Sequence, residues 1–152
     1  MPFMIQILRD NHNRSKQYGF DFIFDKTASQ SLVFANTTQF LVDGLLKGYN
    51  ATIFAYGATG AGKTFTMMGS SKSPGVIPQT LDYLFELVGR REAESVDIRV
   101  SYVEVYNELI RDLLTSEDLA LDIREDPERG IIISNVLELP ATNQDQIMRM
   151  FK

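Results

Sequence analysis

The chain has 152 residues, of which 44% are hydrophobic and 23% are charged, and its net charge is −5. This composition is typical of one globular domain or a part of a larger one, and the negative charge argues against a general nucleic-acid binder. The chain has no cysteine and a single histidine, His12, which excludes disulfide scaffolds and thiol nucleophiles and argues against a histidine-based triad. We predict no signal peptide, no membrane span of about 20 apolar residues, and a reducing intracellular compartment.

The first third of the chain predicts a strand, a helix and a second strand. Residues 18–25 place phenylalanine at every second position from Phe20, which predicts a strand with one apolar face. The spacing of Thr27 and Gln30 predicts a capping box for a helix that ends at Gly48. Residues 51–56 form a short apolar run, which is typical of a strand buried on both faces of a parallel sheet. Together these elements have the pattern of a βαβ unit.

The rest of the chain predicts helices and strands of ordinary length. In chain order they are a helix from Ile77 to about Arg91, a strand over residues 96–106, a short helix over residues 107–114, a hairpin of residues 119–123 with residues 131–134, and a last helix capped by Thr142 or Asn143. The first helix follows from apolar residues at helical intervals. The hairpin follows from residues 125–130, where a proline and a glycine favour a turn.

A glycine-rich segment directly follows the apolar run at residues 51–56. It fits the pattern G-x-x-x-x-G-K-[ST] and consists of Gly57, Ala58, Thr59, Gly60, Ala61, Gly62, Lys63 and Thr64. Glycines let backbone N–H groups converge on phosphate oxygens, the lysine reaches the β- and γ-phosphates, and the threonine hydroxyl is offered to Mg²⁺. A helix that begins near Gly62 directs its N-terminus toward the same anion. Because the segment follows a predicted strand and opens a helix, it predicts a nucleotide-binding loop.

The metal side of such a site is harder to find. A second strand of a P-loop enzyme should end in an aspartate that binds the metal. None of the apolar runs after Thr64 ends in this way. Glu104 lies in the middle of the strand predicted over residues 96–106, so we interpret it as a structural or solvent-facing carboxylate.

Several motifs in order along the chain resemble the kinesin motor domain. They are Tyr18-Gly-Phe-Asp-Phe-Ile-Phe-Asp25, Gln30-Ser-Leu-Val-Phe34, the run from Gly48 into the glycine-rich loop, Phe65-Thr-Met-Met-Gly69, Pro74-Gly-Val-Ile-Pro78, the run from Val100 to Glu108, Ile110-Arg-Asp-Leu-Leu114, and the run from Leu121 to Asp126 with Gly130. The resemblance extends from about Tyr18 to the end of the chain. Ala58, the lead-in at residues 49–52 and the hairpin residues 124–126 look most like the kinesin-eight class.

The resemblance implies an α/β fold of the P-loop NTPase type, with a central, mostly parallel sheet flanked by helices and incomplete in this chain. It implies an ATPase that works as a microtubule motor, with ATP and Mg²⁺ as cofactors and tubulin as partner. It also implies a place in the cytoplasm, on the microtubule cytoskeleton. No nucleic acid and no membrane span are expected.

The same resemblance assigns roles to particular residues. Lys63 and Thr64 are the catalytic residues that the chain contains, and Thr64 is also the Mg²⁺ ligand. Residues 57–65 bind the nucleotide, with Phe65 where many kinesins carry a histidine against the base, so that its ring is expected to stack on adenine. Arg124 and Arg129 match the basic positions of the hairpin that touches tubulin.

The chain also departs from the complete pattern of the family. An opening strand with an Arg-x-Arg-Pro motif, both switch motifs, the later microtubule-binding elements and the neck have no counterpart in the sequence. We therefore interpret residues 1–152 as a partial motor domain that by itself binds Mg-nucleotide weakly, lacks the groups needed for hydrolysis and, with unpaired sheet edges, is poorly stable or prone to associate.

Two other interpretations stay open. The first is another P-loop NTPase, such as a nucleotide kinase or a small GTPase, although no Asn-Lys-x-Asp base-reading motif is present. The second is a non-catalytic fragment that binds nucleotide or microtubules.

Overall fold

The computed structural model describes residues 3–7, 16–91, 96–117 and 120–151. Its strands are β1 Phe3–Ile7, β2 Lys16–Phe20, β3 Gly69–Ser70, β4 Ser73–Pro74, β5 Arg99–Val100, β6 Val103–Tyr106, β7 Leu109–Asp112, β8 Ala120–Leu121, β9 Ile123–Asp126, β10 Gly130–Ile133 and β11 Leu139–Pro140. Its helices are α1 Gln30–Thr37, α2 Gln39–Leu45, α3 Lys63–Met67, α4 Val76–Gly89 and α5 Gln144–Met150. The chain divides into two compact units, Met1–Tyr83 and Leu84–Lys152.

Every strand pair within the described ranges is antiparallel. The first unit contains the pairs β1–β2 and β3–β4, and the second contains β5–β11, β9–β10 and the three-stranded sheet β6-β7-β8. Within the same ranges no helix is long and apolar enough to span a membrane.

The buried strand predicted over residues 51–56 is wrong for the described chain. These residues lie outside any strand, and the side chains of Phe54 and Tyr56 are 81% and 95% exposed. A parallel strand is stable only when neighbours pair with its edges and helices cover its faces. None of the strands that the structure describes pairs with this segment, so the expected parallel sheet is not formed there.

The strand predicted over residues 18–25 is shorter than expected. β2 ends at Phe20, which pairs with Phe3, the first described residue of β1. Beyond it Phe22 and Phe24 stack on each other, with ring centroids 6.3 Å apart.

The helix predicted from the capping box is two helices, and its first cap is a different residue. The side chain of Ser29 accepts the N–H of Leu32 at 3.1 Å and thereby caps α1. Thr27 instead donates its N–H and its hydroxyl to Asp25, at 2.7 and 2.6 Å. The predicted cap at Thr27 is wrong because this local turn consumes its hydrogen bonds, and the helix begins after it.

The predicted stop at Gly48 is confirmed. Gly48 has φ 88°, in the left-handed region that favours glycine. Its N–H donates to the carbonyl of Leu45 at 2.9 Å, and the N–H of Tyr49 donates to the carbonyl of Gly44 at 3.2 Å. This pair of bonds is the Schellman pattern, which satisfies carbonyls that the helix end leaves free.

The core of the first unit lies where α1 and α2 pack with the start of α4. Thr38 and Val42 are buried, with exposures of 0% and 1%, and Val76 and Phe34 are buried as well. The ring of Phe34 meets Tyr83 edge to face at 6.2 Å. The helix predicted from Ile77 is confirmed as α4 and ends slightly earlier than expected, at Gly89.

In the second unit, the short helix predicted over residues 107–114 is wrong. Asn107 and Glu108 both have positive φ, 48° and 63°, and form a two-residue turn between β6 and β7. Two consecutive positive φ angles define the turn type that matches the twist of a tight hairpin. The strand predicted over residues 96–106 is likewise divided into β5 and β6. Glu104 is exposed in β6, as expected for a solvent-facing carboxylate.

The later elements of the second unit agree with the sequence only in part. The second strand of the predicted hairpin is confirmed as β10, but its first strand is wrong, because β10 pairs with β9 at residues 123–126 while residues 120–121 form β8 and pair with β7. The helix α5 begins at the predicted cap Asn143, whose side chain accepts the N–H of Gln146 at 2.9 Å. Residue 119 of the predicted hairpin lies outside the described residues. Ile147 of α5 is 1% exposed, and the rings of Tyr102 and Phe151 lie 4.7 Å apart.

A buried carboxylate joins two loops of this second unit. Asp112 at the end of β7 is 7% exposed. Its Oδ1 accepts the N–H of Leu114 at 2.8 Å, and its Oδ2 accepts the N–H of Leu137 at 2.7 Å. Both oxygens therefore have a partner, as a buried carboxylate requires.

Candidate functional site

The glycine-rich loop of the first unit joins residues 51–56 to α3. Gly60 and Gly62 have φ angles of 80° and 96°, and Gly62 is the residue that precedes the helix. A Cβ at either position would meet no heavy atom within 4 Å. Glycine is therefore required here by the backbone conformation and not by crowding.

Several backbone N–H groups of this loop are available to a ligand. The N–H of Ala61 donates to the carbonyl of Ala58 at 3.1 Å. Those of Gly60, Gly62 and Lys63 donate to no acceptor among the residues that the structure describes. Main-chain N–H groups are strong donors that need a partner, so a run of free ones suits an anion with several oxygen atoms.

The ammonium group of Lys63 lies over the same loop. Its Nζ donates to the carbonyls of Gly57 and Ala58, both at 2.9 Å, and the residue is half-buried. Thr64 follows it in α3 with an exposed side chain. The structure thus places the ammonium of Lys63 against the loop that the sequence predicted as its partner, and Thr64 is the next residue of α3.

These donors fit a polyphosphate with its metal ion. The ammonium and the free N–H groups are complementary to phosphate oxygens. Within the described residues no group of three or more acidic, histidine or cysteine side chains could hold a metal. Mg²⁺ usually keeps several waters and takes oxygens from phosphates, so a single hydroxyl such as that of Thr64 fits as its protein ligand at this loop.

Phe65, the expected base-stacking residue, is fixed through its backbone while its ring faces solvent. Phe65 is 58% exposed. Its carbonyl accepts the side-chain amide of Gln30 at 2.6 Å, across 35 residues of sequence. The sequence indicated Gln30 only as part of a predicted cap and of a family motif, because a glutamine gives no sign of which distant carbonyl it will meet.

The far end of α3 is held by a close backbone contact. Gly75 is buried, and its N–H donates to the carbonyl of Met68 at 3.1 Å. A Cβ on Gly75 would lie 2.6 Å from the carbonyl oxygens of Thr66 and Met67. Only glycine permits this approach, so the β3–β4 hairpin sits directly against the helix that carries Lys63 and Thr64.

The expected tubulin contacts lie on the β9–β10 hairpin of the second unit. Arg124 and Arg129 are both exposed, and the guanidinium of Arg124 is 3.6 Å from the carboxylate of exposed Asp122. The turn is shaped by Asp126, whose Oδ1 accepts the N–H groups of Arg129 at 2.8 Å and Glu128 at 2.9 Å. These two bonds hold the pKa of Asp126 below its ordinary value.

The comparison with protein families decides the assignment. A sequence model of the kinesin motor domain matches residues 4–152. The chain belongs to the kinesin motor domain family. This result confirms the family that the motifs indicated.

Curated kinesins of similar sequence are much longer than this chain. The kinesin-like protein KIF19 of Homo sapiens is 43% identical over 145 residues, which are 95% of this chain and 14% of the relative. KIF18B of Gallus gallus is 43% identical over 141 residues, 92% of this chain and 18% of the relative. The chain therefore spans less than a fifth of their length. Both relatives are kinesins of the eighth class, which confirms the class that the motifs resembled.

Solved kinesin structures give the same fold. The structure of a fast kinesin, described for its ATPase mechanism and its interactions with microtubules, matches with a TM-score of 0.86 and 34% identity. A KIF14 dimer in a two-heads-bound state with AMP-PNP, in complex with a microtubule, matches with a TM-score of 0.90 and 29% identity. Nearly all of this chain is covered, 98% and 99%, but only 46% of each solved chain. The α/β P-loop NTPase fold class is thereby confirmed as that of a partial motor domain.

Proposed function

We propose that this chain is the nucleotide-binding part of an ATP-driven microtubule motor. In this proposal residues 1–152 belong to one motor domain, which binds ATP with Mg²⁺ and works on cytoplasmic microtubules. The observation that carries the proposal is the glycine-rich loop, which has N–H groups without an acceptor among the described residues and binds the ammonium of Lys63 through two carbonyls, with Thr64 as the next residue. Membership of the kinesin family supports the choice of ATP and microtubules over the other P-loop NTPases.

The loop residues have distinct tasks in this proposal. The N–H groups of Gly60, Gly62 and Lys63 bind phosphate oxygens, and the Lys63 ammonium moves from its carbonyl partners to the β- and γ-phosphates. The hydroxyl of Thr64 binds Mg²⁺, which when bound neutralises charge that develops on the phosphates. The exposed ring of Phe65 stacks on adenine. Phosphoryl transfer depends mainly on such positioning and charge stabilisation, so the loop is a necessary part of the catalytic site.

The track-binding part of the proposal rests on the β9–β10 hairpin. Arg124 and Arg129 are exposed cations near its turn. The family resemblance implies that they face tubulin, whose surface is acidic. The ion pair of Arg124 with Asp122 joins two solvent-exposed side chains. Exposed pairs of this kind contribute little free energy, so Arg124 can exchange this partner for an acidic one at small cost.

Titration with a fluorescent ATP analogue and Mg²⁺ tests the nucleotide site. Lys63→Ala should weaken binding by about 10- to 100-fold, because it removes a charged hydrogen-bond donor to the phosphates. Lys72→Ala is the matched control, since this exposed lysine of the β3–β4 turn carries the same charge and lies outside the loop. Equal affinities for Lys63→Ala and Lys72→Ala would refute the assignment of the loop.

Thr64→Ala distinguishes the metal role from the phosphate role. We expect this variant to lose the part of the affinity that Mg²⁺ adds and to bind metal-free nucleotide as the parent does. Turnover measured with and without microtubules, in a complete motor domain that contains these residues, separates a motor from a fragment that only binds nucleotide or microtubules.

A further inference from the structure

A hydrogen bond joins Gln30 of α1 to α3, the helix that follows the glycine-rich loop. Among the described residues no other residue of α1 forms such a bond. Gln30 is the first residue of α1 and is 8% exposed. Its amide donates to the carbonyl of Phe65 at 2.6 Å. A buried side-chain amide must find partners, so this bond fixes the orientation of Gln30 as well as that of its acceptor.

The acceptor lies at a position where the helix cannot satisfy it. α3 ends at Met67, and the last backbone bond of this turn joins the N–H of Met68 to the carbonyl of Thr64. The carbonyl of Phe65 is thus one of the unpaired carbonyls that every helix end leaves. Within the described residues Gln30 is the donor that satisfies it, which ties a helix of only five residues to α1.

This helix begins with the two side chains on which the proposed site depends. Lys63 and Thr64 come directly before Phe65, so a rotation of α3 moves the ammonium and the hydroxyl together. Gly75 restrains the helix at its far end through the carbonyls of Thr66 and Met67. The bond from Gln30 to the carbonyl of Phe65, the middle residue of α3, is a second restraint.

We propose that Gln30 is a positioning residue for the phosphate site, which acts by holding α3 so that Lys63 and Thr64 face the polyphosphate. This inference rests on the proposed function of the loop. It distinguishes Gln30 from Phe65, which would contact the base. Loss of the Gln30 amide should therefore weaken binding of any polyphosphate, with or without a base.

The test uses Gln30→Met, which keeps the length of the side chain and removes its donor. The parent and the variant are titrated with Mg-ATP and with Mg-tripolyphosphate, which has no base. Gln146→Met is the matched control, because the amide of Gln146 also donates to a backbone carbonyl, that of Pro140 at 3.0 Å in the second unit. Among the described residues it has no hydrogen bond to α3 or to Gly75. The unfolding midpoint of each unliganded protein is measured in parallel.

We expect Gln30→Met to weaken both ligands by about fivefold and equally, which is the effect of one lost hydrogen bond. Gln146→Met should leave both affinities unchanged even if its unfolding midpoint falls. Phe65→Ala should weaken Mg-ATP alone.

Three results would overturn the inference. The first is a Gln30→Met protein with parental affinities, and the second is one whose loss is confined to Mg-ATP. In both cases Lys63→Ala would still weaken binding, so the proposed function would survive. The third is a parent that binds neither ligand, which refutes the proposed function and this inference with it.

Discussion

Gly75→Ala should disturb the nucleotide-binding loop by displacing α3, the helix that follows it. The added Cβ would lie 2.6 Å from the carbonyl oxygens of Thr66 and Met67 and 2.7 Å from the amide nitrogen of Gly69. Ordinary contacts of a Cβ begin near 3.4 Å, so the approaches are short by about 0.7–0.8 Å. All three atoms belong to the backbone, and no flexible side chain can move aside.

The magnitude follows from these contacts. Overpacking of a tightly packed site costs about 1–3 kcal/mol. Relief by movement of the hairpin would stretch the bond from the Gly75 N–H to the Met68 carbonyl, now 3.1 Å, and lose about 1 kcal/mol more. We expect the free energy of unfolding to fall by about 2–4 kcal/mol, and Mg-nucleotide affinity to fall because α3 shifts.

Urea unfolding followed by circular dichroism measures the first effect, and nucleotide titration under folding conditions measures the second. Gly89→Ala is the matched control, since a Cβ on Gly89 at the end of α4 meets no heavy atom within 4 Å. That control should be neutral or more stable by up to about 1 kcal/mol. If Gly75→Ala were as stable as Gly89→Ala, the close contact behind α3 would not exist in solution.

Three further predictions concern the second unit. In a complete motor domain, Arg124→Ala combined with Arg129→Ala should lower microtubule affinity at low salt, where charge–charge contacts are least screened, and leave basal ATP turnover nearly unchanged. Co-sedimentation across a salt series measures the affinity. Identical curves for variant and parent would remove both residues from the track-binding site. Glu108→Gly should raise the free energy of unfolding by about 0.5–1 kcal/mol, because the relief of a strained positive φ outweighs the larger unfolded ensemble of glycine. Glu108→Ala keeps the strain and should give no gain in urea unfolding. Equal free energies for the two variants would contradict this. The hairpin turn should keep its full stability above the ordinary carboxylate pKa of 3.8 and lose it as pH falls through the lowered pKa of Asp126. Asp126→Asn should flatten this dependence of the free energy of unfolding on pH. Parallel pH profiles for the parent and this variant would argue against the Asp126 turn.

The elements predicted correctly from sequence are those specified by short-range chemistry. Gly48 ends a helix because left-handed backbone favours glycine, and Asn143 caps α5 with its own side chain. The glycine-rich loop is of the same kind, since its order of glycines and lysine fixes the local backbone and its donors. Each of these signals lies within a few residues of the structure that it specifies.

The elements missed from sequence depend on distant partners or on competition between close alternatives. The segment at residues 51–56 has the composition of a buried strand, but a strand exists only where other strands pair with it. Asn107 and Glu108 form a tight turn without the glycine that usually marks one, so the residues after them read as a helix. Thr27 was the predicted cap, but the nearby Asp25 takes its hydrogen bonds, and Ser29 caps the helix instead.

The residues of the candidate site also divide into those specified by nearby sequence and those that depend on distant partners. Lys63 and Thr64 were predictable because the loop is continuous in sequence. Gln30 was not, because its bond to the carbonyl of Phe65 spans 35 residues and depends on how α1 packs.

The carboxylate of Asp112 gives the second unit an order of assembly. It links β7 to Leu137 across 25 residues, whereas the turns at residues 107–108 and 127–129 close within their own hairpins. Short loops close at a smaller entropy cost than long ones, so we expect both hairpins to form before the carboxylate joins the segment at Leu137. A buried carboxylate is stable only when its oxygens have partners, so we expect its burial to follow once both N–H donors are in place. The bond from Leu137 to Asp112 is therefore expected to be a late link that holds the segment after β10 to β7.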